Sequence, residues 1–115
     1  GTVNSESWAC EVTVKRADGA PLPLRGTIDF DPVGEFEIVL EVPGPQSLDT
    51  VESQQDISGR TDDGFDVLAH KANLARVTYD SATNISRLVF APMSCDLARP
   101  GRAPDASWTR REVFF

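Results

Sequence analysis

The sequence predicts an all-β protein, a small antiparallel barrel of about eight strands, with an open β-sandwich as the alternative. Apolar and polar residues alternate with a period of two in most segments, which is typical of half-buried strands. Signals for tight turns separate these segments at short intervals, as they do in barrels and sandwiches. No stretch of ten or more residues shows the 3.6-residue period of a helix.

The chain of 115 residues has the length of one domain. Residues 1–6 are predicted to form a flexible N-terminal tether, because they are polar and lack periodicity. Residues 7–115 are predicted to form a single all-β domain. No run approaches the ~18 apolar residues that a membrane-spanning helix needs, so no membrane span is expected. A lipoprotein anchor upstream of the first residue would be compatible with this organisation.

The first half of the chain predicts one isolated strand and one hairpin. Residues 8–15 alternate a tryptophan, a cysteine and two valines onto one face. The following APLPL segment contains two prolines without an N–H, so it is not expected to pair on both sides. Residues 26–31 and 35–42 then predict the clearest hairpin, with apolar residues inward and acidic residues outward. The outward carboxylates are Asp29, Asp31, Glu35, Glu37 and Glu41.

The second half predicts further short strands, and all the strands together predict a core. The segments are a weak strand or turn at 56–61, strands at 65–71, 74–80 and 85–92, a long connection at 93–107 and a C-terminal strand at 108–115. The predicted core consists of Trp8, Val12, Val14, Ile28, Phe30, Phe36, Ile38, Leu40, Val67, Val77, Tyr79, Leu88 and Phe90.

The two cysteines, Cys10 and Cys95, are predicted to form a disulfide. An even number of cysteines in a small β domain fits an exported protein, so we expect a periplasmic or secreted location. The bond would stabilise the fold by roughly 4 kcal/mol in the chain-entropy model. Two separate buried thiols are the alternative.

Catalytic, cofactor-binding and metal sites are not predicted, and the protein is expected not to be an enzyme. His70 is the only histidine, and no nucleophile motif accompanies it. The DFDPVGE segment resembles the start of a calcium loop, but it places Val33 and Leu40 where oxygen ligands belong. A β-turn explains the same residues. A Cys/His-dependent enzyme is kept as a minor alternative.

The charge distribution suggests the mode of binding. The net charge is −7, and residues 29–66 contain eleven acidic residues and one arginine. A nucleic-acid-binding surface needs clustered basic residues, so nucleic acid is excluded as a partner. The bias toward arginine, alanine and proline suggests a bacterial gene.

We therefore predict an exported binding or inhibitor module that meets a basic protein through the acidic hairpin face. Neighbouring arginines such as Arg110 and Arg111 could instead neutralise that face. A barrel that carries an apolar ligand is the alternative function. The sequence specifies neither the identity of the partner nor the oligomeric state.

Overall fold

A computed structural model of the protein describes residues 6–30, 36–62 and 64–98. These residues form seven strands: β1 (Glu6–Lys15), β2 (Pro21–Phe30), β3 (Phe36–Pro43), β4 (Gln54–Thr61), β5 (Asp66–Asp80), β6 (Ile85–Ala91) and β7 (Ser94–Ala98). None of the described residues belongs to a helix that could cross a membrane. Residues 1–5 of the predicted tether at 1–6 lie outside the described residues, as does the predicted C-terminal strand at 108–115, and Glu6 is the first residue of β1.

Six of the strands close into an antiparallel ring. β1, β2 and β3 form a meander, and β3 pairs with β6. β6 pairs with β5, β5 with β4, and β4 with β1, which closes the ring. β7 pairs with β5 and lies outside this ring. The predicted small antiparallel barrel is confirmed, with six strands in the ring and one beside it.

β7 continues the line of β6 along the same edge of β5. Ala91 is the partner of Asn73, and Ser94 is the partner of His70. Only two residues separate the strands, and the first is Pro92, which has no N–H for a ladder hydrogen bond. The prediction of an unbroken connection over residues 93–107 was therefore wrong at its start.

β5 is one strand where the sequence predicted two. Lys71 lies near its middle with φ of 49°, and its N–H donates to Asp56 Oδ1 at 2.9 Å. The pairing with β6 shifts by one residue between Leu74 and Arg76. This bulge changes which side chains point inward, because alternation is counted from the last regular pair. As a result Leu74 and Val77 both pack against the core. Tyr79 shares the face of Val77 near the end of β5, but it is 44% exposed, so its assignment to the core was wrong.

The inward-facing side chains pack into one core. Most of the predicted core residues are buried, and Trp8 and Val77 pack against them partly buried. Sequence patterning missed Val51, Ile57, Ala69 and Ala72, which belong to loops or strands with weak alternation. The described core consists of Cys10, Val12, Val14, Ile28, Phe36, Ile38, Leu40, Val42, Val51, Ile57, Val67, Ala69, Ala72, Leu88, Phe90 and Cys95.

Two glycines allow neighbouring strands to approach closely. A Cβ atom on Gly59 of β4 would lie 2.1 Å from the carbonyl oxygen of Glu11 in β1. A Cβ atom on Gly26 of β2 would lie 2.2 Å from the carbonyl oxygen of Val39 in β3. Glycine in a strand interior often marks a bend where another backbone comes near. Gly59 and Gly26 each line one of the surface depressions described in the next section.

Candidate functional site

Two of the predicted outward carboxylates form a like-charged pair on the barrel surface. Asp29 of β2 is the direct backbone partner of Glu37 of β3. The side chain of Glu37 is exposed, and Asp29 is half-buried and accepts a hydrogen bond from the Ser7 hydroxyl at 2.5 Å. We call Asp29 and Glu37 the acidic row. Asp31 and Glu35, which were predicted to extend it, lie outside the described residues.

Glu41, the fifth predicted carboxylate, has different surroundings. It lies opposite Arg87 of β6. Together with Arg25 these two residues line a surface depression of about 400 Å³. Basic side chains therefore flank Glu41, whereas no described basic residue is a strand partner of the acidic row.

Glu41 belongs to a band of alternating charge that crosses all six strands of the ring. The band follows the cross-strand pairs from β5 through β4 and β1 to β2, and from β3 to β6. Arg25 of β2 and Glu41 of β3 connect the two parts by lining the same depression. Arg87 then faces Thr78, which is again in β5 but far along that strand from the starting residue. We call this band the charge row: Asp66, Arg60, Glu11, Arg25, Glu41 and Arg87.

Ion pairs neutralise four of the six residues of the charge row. Arg25 donates to Glu11 at 2.5 Å and to both carboxylate oxygens of Asp62 at 2.7 and 2.8 Å. Arg60 pairs with Asp66 at 2.8 Å. The hydrogen bond to Asp62, followed by the charge of that carboxylate, raises the pKa of Arg25 above its ordinary value. The row presents little net charge to a partner despite its many charged groups.

A groove of about 810 Å³ lies over these four neutralised residues. Its polar side consists of charge-row residues from four adjacent strands. Its other side is uncharged and consists of Thr13, Pro23, Ser58 and Leu68. Sequence reasoning missed this groove because its residues are scattered along the chain. Only the strand register brings them together.

Cys10 and Cys95 are both free thiols buried in the core. The predicted disulfide is therefore not formed in the structure. The two cysteines belong to β1 and β7, which are not neighbours in the sheet, so they face each other only through the interior. Burial raises the pKa of Cys10 to about 11 and that of Cys95 to about 12. Thiols with such pKa values are weak nucleophiles at neutral pH.

His70 faces away from both cysteines. Its Nε2 lies 2.7 Å from Asp96 Oδ2 on the outer side of the β5–β7 pair. Cys95 is the partner of Ala69 and points to the opposite, buried side. The geometry thus gives no support to the Cys/His-dependent enzyme. No group of three or more metal-ligating side chains occurs within the described ranges.

Comparison with known proteins finds no matching family model, no matching curated protein and no matching solved structure. The site must therefore be judged on its own geometry. On the outer surface, the described residues offer two features, the unneutralised acidic row and the neutralised groove over the charge row. The first carries a net charge that a partner could recognise, and the second is a concave surface with its charges already paired.

Proposed function

We propose that this barrel is a non-enzymatic binding module that engages a basic segment of a partner protein through the acidic row. The observation that carries the proposal is the direct opposition of Asp29 and Glu37. Like charges placed directly opposite each other on a sheet destabilise it. A bound cationic group would remove that cost, so the pair favours a basic ligand.

The electrostatics of the surrounding face support the same proposal. No ion pair joins either carboxylate of the acidic row to a basic side chain in the part of the chain that the structure describes. Arg25, the nearest arginine along β2, is already held by Glu11 and Asp62. The net charge of −7 adds a long-range field that attracts a cationic partner and accelerates its encounter.

The apolar-carrier alternative has less support. The side chains that would line an internal cavity are buried against one another, and Phe36, Phe90, Ile38 and Leu88 are at most 2% exposed. The three described depressions of the molecule are lined mainly by outward-facing residues and lie on the outer surface. A ligand site of several hundred Å³ inside the barrel would require this core to be displaced.

We also propose that the protein is exported to the periplasm or secreted. The predicted disulfide was the main sequence observation in favour of export, whereas the structure contains two free thiols. A binding module of this small size would suit the role of an inhibitor that occupies a surface of its partner. Fractionation of cells that produce the full-length gene product tests the location. Recovery only in the cytoplasm would contradict export and leave the binding proposal in place.

A titration with a fluorescent lysine-rich peptide tests the binding proposal. We expect Glu37→Lys to weaken binding by about tenfold, which corresponds to about 1.4 kcal/mol. The matched control is Glu52→Lys, which changes the net charge equally at an exposed position outside the acidic row. The interaction should also weaken with added salt, because exposed charges are screened. Equal weakening by both variants would show that total charge, and not the acidic row, attracts the peptide.

A further inference from the structure

The groove over the charge row has two parallel sides. One side carries the four neutralised residues of the charge row. The two sides lie two residues apart along each strand, which is about 7 Å at the usual rise. The groove therefore runs across four strands and not along one of them. Its uncharged side is a row in which each residue is the strand partner of the next: Leu68, Ser58, Thr13 and Pro23.

The middle of the groove offers no free backbone group to a ligand. Val12 pairs with Leu24 of β2 on one side and with Gly59 of β4 on the other, and Gly59 pairs in turn with Val67 of β5. The N–H and C=O groups of a strand with two neighbours are used by the ladder. A peptide cannot add itself here as a further strand, as it does at a sheet edge. A ligand in the groove must therefore be recognised by side chains.

The charged side consists of two units that each hold a hydrogen-bond donor next to an acceptor. In the first unit Arg25 donates to Glu11 Oε1, and in the second Nε of Arg60 donates to Asp66 Oδ1. A guanidinium carries five N–H donors and a carboxylate has two oxygens. Each unit thus keeps N–H groups and one carboxylate oxygen that its ion pair does not use. Because a hydroxyl group both donates and accepts, it can bind the donor and the acceptor of one unit together.

The charge balance of the groove favours a neutral ligand. Two arginines and two carboxylates line it, so their formal charges cancel. Asp62 holds Arg25 from outside the groove through hydrogen bonds of 2.7 and 2.8 Å. Donors that are already held in fixed directions lose less conformational freedom when a ligand binds. On the uncharged side, Pro23 and Leu68 provide apolar surface for C–H groups.

We propose that the groove binds a neutral, linear oligosaccharide, at a site separate from the acidic row. A volume of about 810 Å³ lies within the range of ligand-binding clefts. The Glu11–Arg25 unit and the Arg60–Asp66 unit are two strand spacings apart, which is about 10 Å. A ligand that uses both units must therefore present hydroxyl groups repeatedly along its length, with C–H surfaces between them. A chain of sugar rings has this pattern, and its recognition does not depend on the proposed function.

Backbone NMR spectra of the full chain, titrated with cellohexaose and with maltohexaose, test the proposal. We expect at least one of the two hexasaccharides to shift the amide signals of Glu11, Ser58 and Leu68. Arg60→Met removes the donors of one unit and should weaken this binding by about tenfold. The matched control is Arg76→Met, the same change at an exposed position of β5 outside the groove, and it should leave the affinity unchanged.

Salt and a second ligand distinguish this site from the acidic row. Binding of the hexasaccharide should stay constant as salt is added, whereas binding of the lysine-rich peptide should weaken. Absence of shifts with both hexasaccharides at about 10 mM, above a millimolar dissociation constant, would overturn the proposal. Equal weakening by the two variants would overturn it too, and so would equal shifts from a neutral serine-rich peptide. A sugar response without binding of the lysine-rich peptide would reject the proposed function and keep the oligosaccharide site.

Discussion

The acidic row and the charge row share β2 and β3 and face the same solvent, yet their carboxylates have neighbours of opposite charge. In the charge row, Glu11 faces Arg25 on one side and Arg60 on the other. In the acidic row, Asp29 faces Glu37. The position of a carboxylate along the strand therefore decides whether an arginine or another carboxylate lies opposite it. In the first case an ion pair can neutralise the carboxylate, and in the second case its charge is not neutralised by its strand partner.

Among the substitutions that test this comparison, Gly59→Ala should change the free energy of unfolding most. The added methyl group would meet the backbone oxygen of Glu11 and the side chain of Val12, and neither can move without separating β1 from β4. We expect a loss of about 3 kcal/mol in the free energy of unfolding, at the upper end for overpacking. Urea unfolding followed by circular dichroism measures it. Ser58→Ala, at the exposed neighbouring position, should change stability by less than about 0.5 kcal/mol.

The second effect concerns Cys10, which lies between the two rows on β1. Burial raises its pKa most, Asp62 raises it further, Arg25 lowers it, and Asp29 raises it. A thiol whose pKa is higher in the folded state stabilises the fold fully below its unfolded pKa of about 9. That contribution is lost as the pH rises through about 11 for Cys10 and about 12 for Cys95.

We therefore expect the stability to fall above pH 9 by at most about 1.4 kcal/mol per pH unit for each thiol. Urea unfolding between pH 8 and pH 10.5 measures the slope. Asp29→Asn should lower the pKa of Cys10 and flatten the slope, whereas Arg25→Met should steepen it. Absence of titratable thiols in denaturant would instead reveal a disulfide between Cys10 and Cys95, and the slope would then vanish.

The smallest effect is also the most direct test of the comparison. Glu11→Gln should destabilise the barrel slightly, because it removes a partner of Arg25. Glu37→Gln should stabilise it by a few tenths of a kcal/mol, because it removes a like-charged neighbour of Asp29. Both changes should shrink as salt is added. Thermal unfolding at low and high ionic strength measures them, and equal signs for the two variants would contradict the contrast between the rows.

Alternation alone predicted the hairpin, the inward face of β1 and the all-β class, because each depends only on neighbouring residues. It failed where the strands are irregular. The two predicted strands at 65–71 and 74–80 form one strand that passes through Lys71 and the bulge after Leu74, and this bulge places Leu74 and Val77 both against the core. The prolines restrict the pairing of β2 as predicted. Pro21 and Pro23 pair with β1 on one side, but both lie before Gly26, where the pairing of β2 with β3 begins.

The candidate site was only partly predictable for a related reason. That Asp29 and Glu37 point outward follows from local alternation, and their direct opposition follows from the hairpin. The different surroundings of Glu41 could not be predicted in this way. They depend on the pairing of β3 with β6, which connects residues far apart in the chain. The charge row required four pairings of the ring, and no local pattern specifies the registers of those that join remote strands.

The closure of the ring also has a consequence for how the protein folds. Two pairings complete it, one between Cys10 and Thr61 and the other between Ile38 and Phe90. Both join residues that are remote in sequence, and domains dominated by such contacts fold slowly, in milliseconds to seconds. During synthesis, β3 cannot find β6 until that strand has left the ribosome. The acidic row can form with its hairpin. The charge row also needs the pairings of β1 with β4 and of β3 with β6, so it is among the last parts of the surface to form.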